Sequence, residues 1–382
     1  MSFVSDAADK SDPWFPALDL LRSMNSIRHR KVAASIVKVL DESMSPFKPR
    51  RTKTGNLPHL SHVERKPEPC GTDAKDTMCT QLGCMLCFEL QRGKDDPKKP
   101  TTFEDEAKGK KNAARALRLM ENSKGCGRTE EEMENTNDIF IGDADFGSVT
   151  TAEHAKLKGS DVILAVKQAH SFFPKKALQT IMKDFPGGTW LTMECKSPVT
   201  QVKLRALAYK YSRRSINFFV MTEGTWDTTP SDAPYIALYK DAHGNNQQRN
   251  IPRPVAATRC FQKANGIDIH NQMRQSVLGL KHLWQTDDGF FRCDTAMLGM
   301  TVVDAWNLLK FPFKLEKRSR FNSPVRDFCA RAATSMIRIK WCESSGRPPR
   351  TLAPLSEDEV TVPGRKSLMS ELTVDSSVAS ST

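Results

Sequence analysis

The chain has 382 residues, of which 38% are hydrophobic, and carries a formal net charge of +12 with a pI near 9.2. No apolar run approaches the roughly 20 residues that a membrane span needs, which excludes an integral membrane protein. The N-terminus lacks a charged-then-apolar signal pattern, and the ten cysteines are too sparse for a disulfide framework. We therefore expect an intracellular protein with an anionic partner, nucleic acid first.

The N-terminal half alternates short apolar runs with charged connections. Its predicted order is a helix over 13–30, a buried strand over 35–40, a proline-rich basic loop over 45–76, a second apolar run over 82–90, an exposed connection over 91–112 and a helix over 113–122. Next come strands at 139–142 and 162–166 and helices at 151–157 and 175–185. This alternation predicts an α/β layer.

The second half changes character after Pro186-Gly187-Gly188. Four strand-like runs, at 189–193, 203–211, 216–221 and 235–239, predict an antiparallel insertion; helices are predicted over 257–280, 290–311 and 324–342. We therefore divide the chain into an N-terminal helical segment 1–34, a first core part 35–188, a β-rich insertion 189–252, a helical core part 253–342 and a disordered tail 343–382.

Three aspartates stand in recognisable settings at the edges of apolar elements. Asp41 ends the apolar run 35–40, Asp143 follows the strand 139–142, and Asp268 lies in the predicted helix 257–280. Carboxylates of this kind are what Mg²⁺ prefers as ligands. Taken alone, each also has a plain explanation, because aspartate is common in turns and near helix N-termini.

These settings resemble the transposase domain of the piggyBac family. The run Leu40–Met44 resembles the family's first catalytic segment, Gly142–Val149 the second and Gly266–Gln272 the third, in the correct order. The resemblance covers about residues 35 to 315. Relative to the family, we expect a chain that is shortened at both ends.

The resemblance implies an RNase H-like (DDE transposase) α/β fold, with the antiparallel β insertion between the second and third aspartates and helices after them. It implies that Asp41, Asp143 and Asp268 are catalytic and hold two Mg²⁺ or Mn²⁺ ions. Such a pair of ions clamps the attacking and leaving oxygens of a displacement at phosphorus. DNA cleavage and strand transfer at TTAA targets, a homodimer on double-stranded DNA and a nuclear location are further implications.

Two positions depart from the family pattern. Asp145 is an alternative to Asp143 as the metal ligand, because two residues that are two positions apart in a strand point to the same face. The family register favours Asp143. Asn271 replaces a second aspartate that many relatives have, three residues after Asp268 on the same helix face. Asn271 is a neutral oxygen ligand, so metal binding would persist with less charge.

The remaining candidates are basic clusters and a cysteine pair. Phosphate contacts are expected from a set of lysines and arginines, although such runs are more often solvated faces: Lys48, Arg50, Arg51, Lys203, Arg205, Arg213 and Arg214. Cys84 and Cys87 form a CxxC within an apolar run, so we expect buried thiols and no zinc site. The alternative to an enzyme is a non-catalytic DNA- or chromatin-binding protein derived from a transposable element.

Overall fold

The computed structural model describes residues 9–64, 66, 68–167, 172–212, 214–241, 243–280, 284–315, 325 and 327–331. The chain divides into two compact units at Leu308 and Leu309, and the fold below is that of the first. Arg213, most of the predicted helix 324–342 and the tail 343–382 lie outside the described residues. Among the described helices, none is long and apolar enough to cross a membrane.

The described elements follow one another in a mixed α/β order. They are α1 (Phe15–Lys31), β1 (Val37–Pro46), β2 (Ser61–His62), β3 (Cys70–Cys79), β4 (Met85–Leu90), α2 (Lys111–Ser123), α3 (Glu130–Asn135), β5 (Asp138–Gly142), α4 (Val149–Leu157), β6 (Ser160–Ala165), α5 (Lys175–Met182), β7 (Thr189–Lys196), β8 (Lys203–Lys210), β9 (Ile216–Thr222), β10 (Tyr235–Lys240), β11 (Asn246–Ile251), α6 (Val255–Lys263), α7 (Gly266–Gln272), a π-helical segment (Met273–Leu278) and α8 (Gly289–Leu315).

One large mixed sheet organises these elements. Its strand order is β2-β3-β1-β5-β6-β9-β8-β7, and β4 also pairs with β3. Strands β1, β5 and β6 run parallel, whereas β3 is antiparallel to both β1 and β4. The central strands therefore come from sequence segments that alternate with helices, as the α/β prediction requires.

Helices cover both faces of the sheet, which explains why the central strands are apolar on both sides. Phe140 and Leu164 pack with Leu117 of α2 and Ala152 of α4 on one face. On the other face Ile141, Ile163 and Phe219 pack with Ala256 and Cys260 of α6. Adjacent residues such as Phe140 and Ile141 thus enter different cores.

The predicted loop over 45–76 is wrong, because it contains β2 and most of β3. Strand β3 is almost wholly buried although it is rich in Asp, Lys and Thr. Two of its charges are paired locally: Lys75 Nζ lies 2.6 Å from Glu42 Oε2 and 3.5 Å from Asp73 Oδ2. Pairing with β3 also extends β1 to Pro46, so Asp41 lies within the strand and not at its end.

The four strands predicted over 189–239 all exist, and three of them extend the main sheet of the described residues. β7, β8 and β9 continue the main sheet through β6, and only β10 and β11 form a separate two-stranded sheet. The predicted helix 257–280 is also wrong as a single element. It is interrupted between α6 and α7 and changes to π-helical geometry at Met273.

Candidate active site

Parallel pairing of β1 and β5 brings the first two aspartates together. The last paired residues are Leu40 and Gly142, so Asp41 and Asp143 each follow directly at the same level of neighbouring strands. Both side chains are half-buried. The backbone N–H of Glu42 donates to Asp41 Oδ1 at 2.8 Å, and that of Asp145 donates to Asp143 Oδ1 at 2.9 Å. Asp145 is exposed in the turn, where it supports Asp143 through its backbone.

The rest of the second motif shapes the turn after Asp143. A Cβ on Gly147 would lie 1.7 Å from the carbonyl oxygen of Ala165 at the end of β6, so only glycine fits there. Ser148 then caps α4, because its Oγ accepts from the backbone N–H of Thr151 at 3.0 Å. The glycine and serine of this motif therefore have structural roles that fix where Asp143 points.

Helix α7 carries Asp268 to the same region of the sheet. Ile267 is fully buried and packs with Val39 of β1, Met78 of β3 and Met85 of β4. Asp268, the next residue, is exposed. A short helix whose N-terminal turn is anchored on β1 thus places its carboxylate near Asp41.

A buried ionic centre at Asp304 holds α7 in place. Its Oδ1 accepts from the backbone N–H of Met85 at 2.9 Å and lies 3.0 Å from His270 Nε2, while Oδ2 accepts from Arg28 Nη2 at 2.7 Å. Burial opposes ionisation, but Arg28 and His270 hold the pKa of Asp304 below its usual value. His270 and Asp304 are thus part of the scaffold that positions α7.

The negative charges of Asp143 and Asp268 both act on Asp41. Burial, together with the charges of Asp143 and Asp268, raises the pKa of Asp41 to about 7. Burial likewise raises the pKa of Asp143. Glu42 behaves in the opposite way: burial is outweighed by Lys75 and Lys66, which hold its pKa at about 2. Like charges near one buried carboxylate favour its protonation unless a cation joins them.

Within the described part of the chain, no three acidic, histidine or cysteine side chains converge into a complete metal-ligand group. The three aspartates therefore share an electrostatic field but not a closed coordination shell. Their chemistry still fits a divalent metal, because all three supply carboxylate oxygens, and burial together with the neighbouring negative charge destabilises Asp41 as an anion. Asp41, Asp143 and Asp268 are the residues that would hold such an ion.

Asn271 is buried and already has a polar partner. Its Oδ1 accepts from Arg274 Nη2 at 3.1 Å. Arg274 also donates to Ser45 Oγ at 3.0 Å and to the carbonyl oxygen of Met44 at 3.1 Å. In this arrangement Asn271 links α7 to the strand that carries Asp41.

One further carboxylate near the site was missed. Asp76 of β3 pairs directly with Asp41 across the sheet and is fully buried. Burial raises the pKa of Asp76 to about 7, and the nearby Ser43 offsets this rise only in part. Neither carboxylate oxygen of Asp76 makes a hydrogen bond of standard geometry to the described residues. Asp76 falls in a segment that the sequence predicts as a loop, and only the pairing register of β1 and β3 shows that it lies beside Asp41.

The predicted basic residues have different environments. Lys48 and Arg50 are exposed and line a cavity of about 730 Å³ beyond the end of β1. Arg51 is exposed beside Asp287, at 3.5 Å. Lys203 and Arg205 of β8 pair with Glu223 and Glu194, and Arg214 is exposed. The Lys48–Arg50 end of β1 is therefore the basic surface that lies nearest in sequence to Asp41.

The cysteine pair lies in the core, as expected. Cys87 belongs to β4 and Cys84 precedes it, and both are buried. Burial raises the pKa of each thiol. Cys84 Sγ lies 3.4 Å from the carbonyl oxygen of Asp304 and packs as part of the scaffold.

Comparison with known proteins shows a similarity in fold but none in sequence. No protein-family model and no curated protein sequence matches the chain. Among solved structures, it is similar to a cryo-EM structure of the piggyBac transposase synaptic complex with hairpin DNA, with a TM-score of 0.56 and 12% sequence identity. The match covers 87% of this chain and 59% of that transposase chain. The fold of this chain is thus a mixed α/β fold similar to that of the part of piggyBac transposase that it matches.

Proposed function

We propose, from its piggyBac transposase-like fold, that the chain is the catalytic core of a metal-dependent DNA transposase, which cleaves a DNA phosphodiester and transfers the freed 3′-hydroxyl to target DNA. The observation that carries the proposal is that Asp41 and Asp143 follow the last paired residues of neighbouring strands, and that burial, together with the charges of Asp143 and Asp268, raises the pKa of Asp41 to about 7. Strongly perturbed carboxylates that also share a geometry are candidates for catalysis.

The sheet supports the finer assignment to an RNase H-like fold. β4, β3 and β1 form an antiparallel unit, and β5 and β6 follow in parallel on the other side of β1. Asp41 and Asp143 come from the two neighbouring strands at the centre of this unit, and Asp268 comes from a later helix. The resemblance of the three sequence motifs implies the same origin for the three carboxylates.

In this proposal Asp41 and Asp143 have defined tasks. Bound divalent ions would supply Lewis-acid stabilisation of the attacking and leaving oxygens. The charges of Asp143 and Asp268 both act on Asp41, so Asp41 would be the central ligand of the site. Because its pKa is about 7, Asp41 gives up a proton near neutral pH as the site becomes ready for a cation. The turn fixed by Gly147 and Ser148 orients Asp143.

DNA would lie along the basic end of β1. Lys48 and Arg50 are exposed within ten residues of Asp41, and phosphate contacts by such side chains position a duplex without reading its sequence. Recognition of TTAA targets, assembly as a dimer on DNA and action in the nucleus are parts of the proposal that rest on the family resemblance.

The test is cleavage and strand transfer on a duplex that contains TTAA, with Mg²⁺ or Mn²⁺. Wild type is compared with Asp143→Ala and Asp268→Ala, with Asp145→Ala as the matched control from the same turn. We expect metal-dependent products from wild type and the control and none from the other two. Cleavage without strand transfer would indicate a metal nuclease, and products that survive both substitutions would overturn the proposal.

A second function is favoured by one observation. The amide oxygen of Asn271 accepts from Arg274, so the position where many relatives have a second aspartate serves here to join α7 to β1. This supports a non-catalytic DNA-binding protein that retains the transposase fold. An inactive wild type whose DNA affinity is equal in the aspartate variants but falls in Lys48→Gln/Arg50→Gln would favour it.

A further inference from the structure

A small cavity lies at the end of the strand that carries Asp41. Its volume is about 20 Å³, and its lining comes from the end of β1, the segment after α7 and the first turns of α8: Ser45, Pro46, Arg274, Gln275, Leu280, Arg292, Thr295 and Ala296. A cavity needs roughly 10–15 Å³ to hold a water molecule. There is therefore room for one water or one monatomic ion, and none for a phosphate group.

Two buried arginines face this cavity with unused hydrogen-bond donors. Arg274 is 6% exposed and Arg292 is 7% exposed. Arg274 bonds Met44, Ser45 and Asn271 but leaves its Nε without a partner among the described residues. Arg292 donates from Nη2 to the carbonyl oxygen of Trp284, while its Nε and Nη1 have no partner there. Buried charged donors without acceptors are costly.

The surrounding charge is also one-sided. No carboxylate belongs to the lining that the described residues form, and every hydrogen-bond acceptor recorded there for the two guanidiniums is neutral. Burial lowers the pKa of Arg274 to about 10, and Asp76 offsets this only in part. Burial also lowers the pKa of Arg292, and the negative charge of Glu68 offsets this only in part. The described residues thus leave two cations without a full counter-charge.

We propose that this cavity is a binding site for one small inorganic anion, chloride in particular, shared by Arg274 and Arg292. A water molecule would accept hydrogen bonds but supply no charge, whereas a halide does both. Ser45 completes the site, because its hydroxyl accepts from Arg274 and keeps its own proton to donate.

The anion would strengthen the junction between two parts of the candidate active site. Arg274 joins Asn271 of α7 to Met44 and Ser45, which follow Asp41 on β1. Arg292 lies in the first turns of α8. A shared anion therefore connects β1, the segment after α7 and α8, and binding to the folded state alone raises its stability.

The test measures the unfolding midpoint at constant ionic strength while sodium gluconate is replaced by sodium chloride or bromide. We expect a saturable rise in Tm with either halide, and an anomalous bromide peak between Arg274 and Arg292 in crystals grown with bromide. Arg292→Gln removes the halide-dependent rise, whereas Arg51→Gln, a change at an exposed arginine, retains it.

A Tm that does not change with halide would overturn the proposal. So would a site that shows no anomalous peak in the bromide crystals and whose electron density refines as water. If Arg292→Gln does not fold, Arg292→Lys and the bromide peak in the wild-type crystal decide the question. The outcome is independent of DNA cleavage, so a failed anion site and a failed transposase assignment are distinguishable.

Discussion

His270 Nε2 lies 3.0 Å from Asp304 Oδ1, so the short helix that carries Asp268 is fixed to α8 inside the protein. The same carboxylate binds Arg28 of α1 and the backbone of Met85 at the start of β4. One buried aspartate thus sets the position of α7 relative to the sheet that carries Asp41. The geometry of the candidate site depends on a residue that never faces it.

Asp304→Asn is expected to lower the free energy of unfolding by about 3–5 kcal/mol, because it leaves Arg28 buried without its counter-charge. Urea unfolding at pH 7 measures this loss. Lys203→Gln is the control: it breaks the ion pair with Glu223, whose two side chains are each 52% exposed, and should cost less than about 1 kcal/mol. Equal losses in the two variants would contradict a central role for Asp304.

Asp41→Asn is expected to stabilise the protein at pH 8 but not at pH 4. The folded pKa of Asp41 is about 7 and its unfolded value about 3.8, so the folded state binds the extra proton between these values. Wild-type stability therefore falls as pH rises through this window. The gain from the Asp41→Asn substitution at pH 8 should be on the order of 2–4 kcal/mol.

The measurement is urea unfolding from pH 4 to pH 8 with a chelator present. Asp145→Asn, which changes an exposed residue close to Asp143, serves as the control. Its free energy of unfolding should differ from that of wild type by the same amount at every pH. If the difference in unfolding free energy between Asp41→Asn and wild type also stays constant with pH, Asp41 does not lie in a buried environment crowded with negative charge.

Gly147→Ala tests the turn that orients Asp143. The new Cβ would lie 1.7 Å from the carbonyl oxygen of Ala165, so the turn or β6 must move. We expect a loss of about 3 kcal/mol or more in unfolding free energy. At Gly93 the nearest atom to a new Cβ is His59 Nδ1 at 3.6 Å, an ordinary contact, so Gly93→Ala should be tolerated. Similar stability of both variants by thermal unfolding would argue against this turn geometry.

The sequence predicts most elements of the first unit but not how they assemble. The strands over 189–221 are apparent from composition, yet nothing in their pattern says that β9 pairs with β6 in the main sheet. Strand β3 is hidden because its buried residues are polar, and only tertiary partners such as Glu42 for Lys75 make their burial energetically possible. Patterns of apolar residues do not report such pairs.

The candidate site shows the same division. The motifs identify Asp41, Asp143 and Asp268 as candidates, but only the fold brings them close enough for the charges of Asp143 and Asp268 to act on Asp41. Asp76 and Arg274 carry no motif, since their importance comes from strand register and from contacts about 230 residues apart in sequence. Asn271 stands out as a departure from the family pattern, but only the structure shows that it bonds Arg274.

The most direct test of the central claim, that Asp41, Asp143 and Asp268 form one divalent-metal site, is Mn²⁺ titration followed by electron paramagnetic resonance. We expect Asp41→Asn, Asp143→Asn and Asp268→Asn each to weaken Mn²⁺ binding at least about tenfold, which corresponds to about 1.4 kcal/mol. Asp145→Asn should bind like wild type. Unchanged Mn²⁺ affinity in any of the first three variants, with the variant folded, would contradict the account.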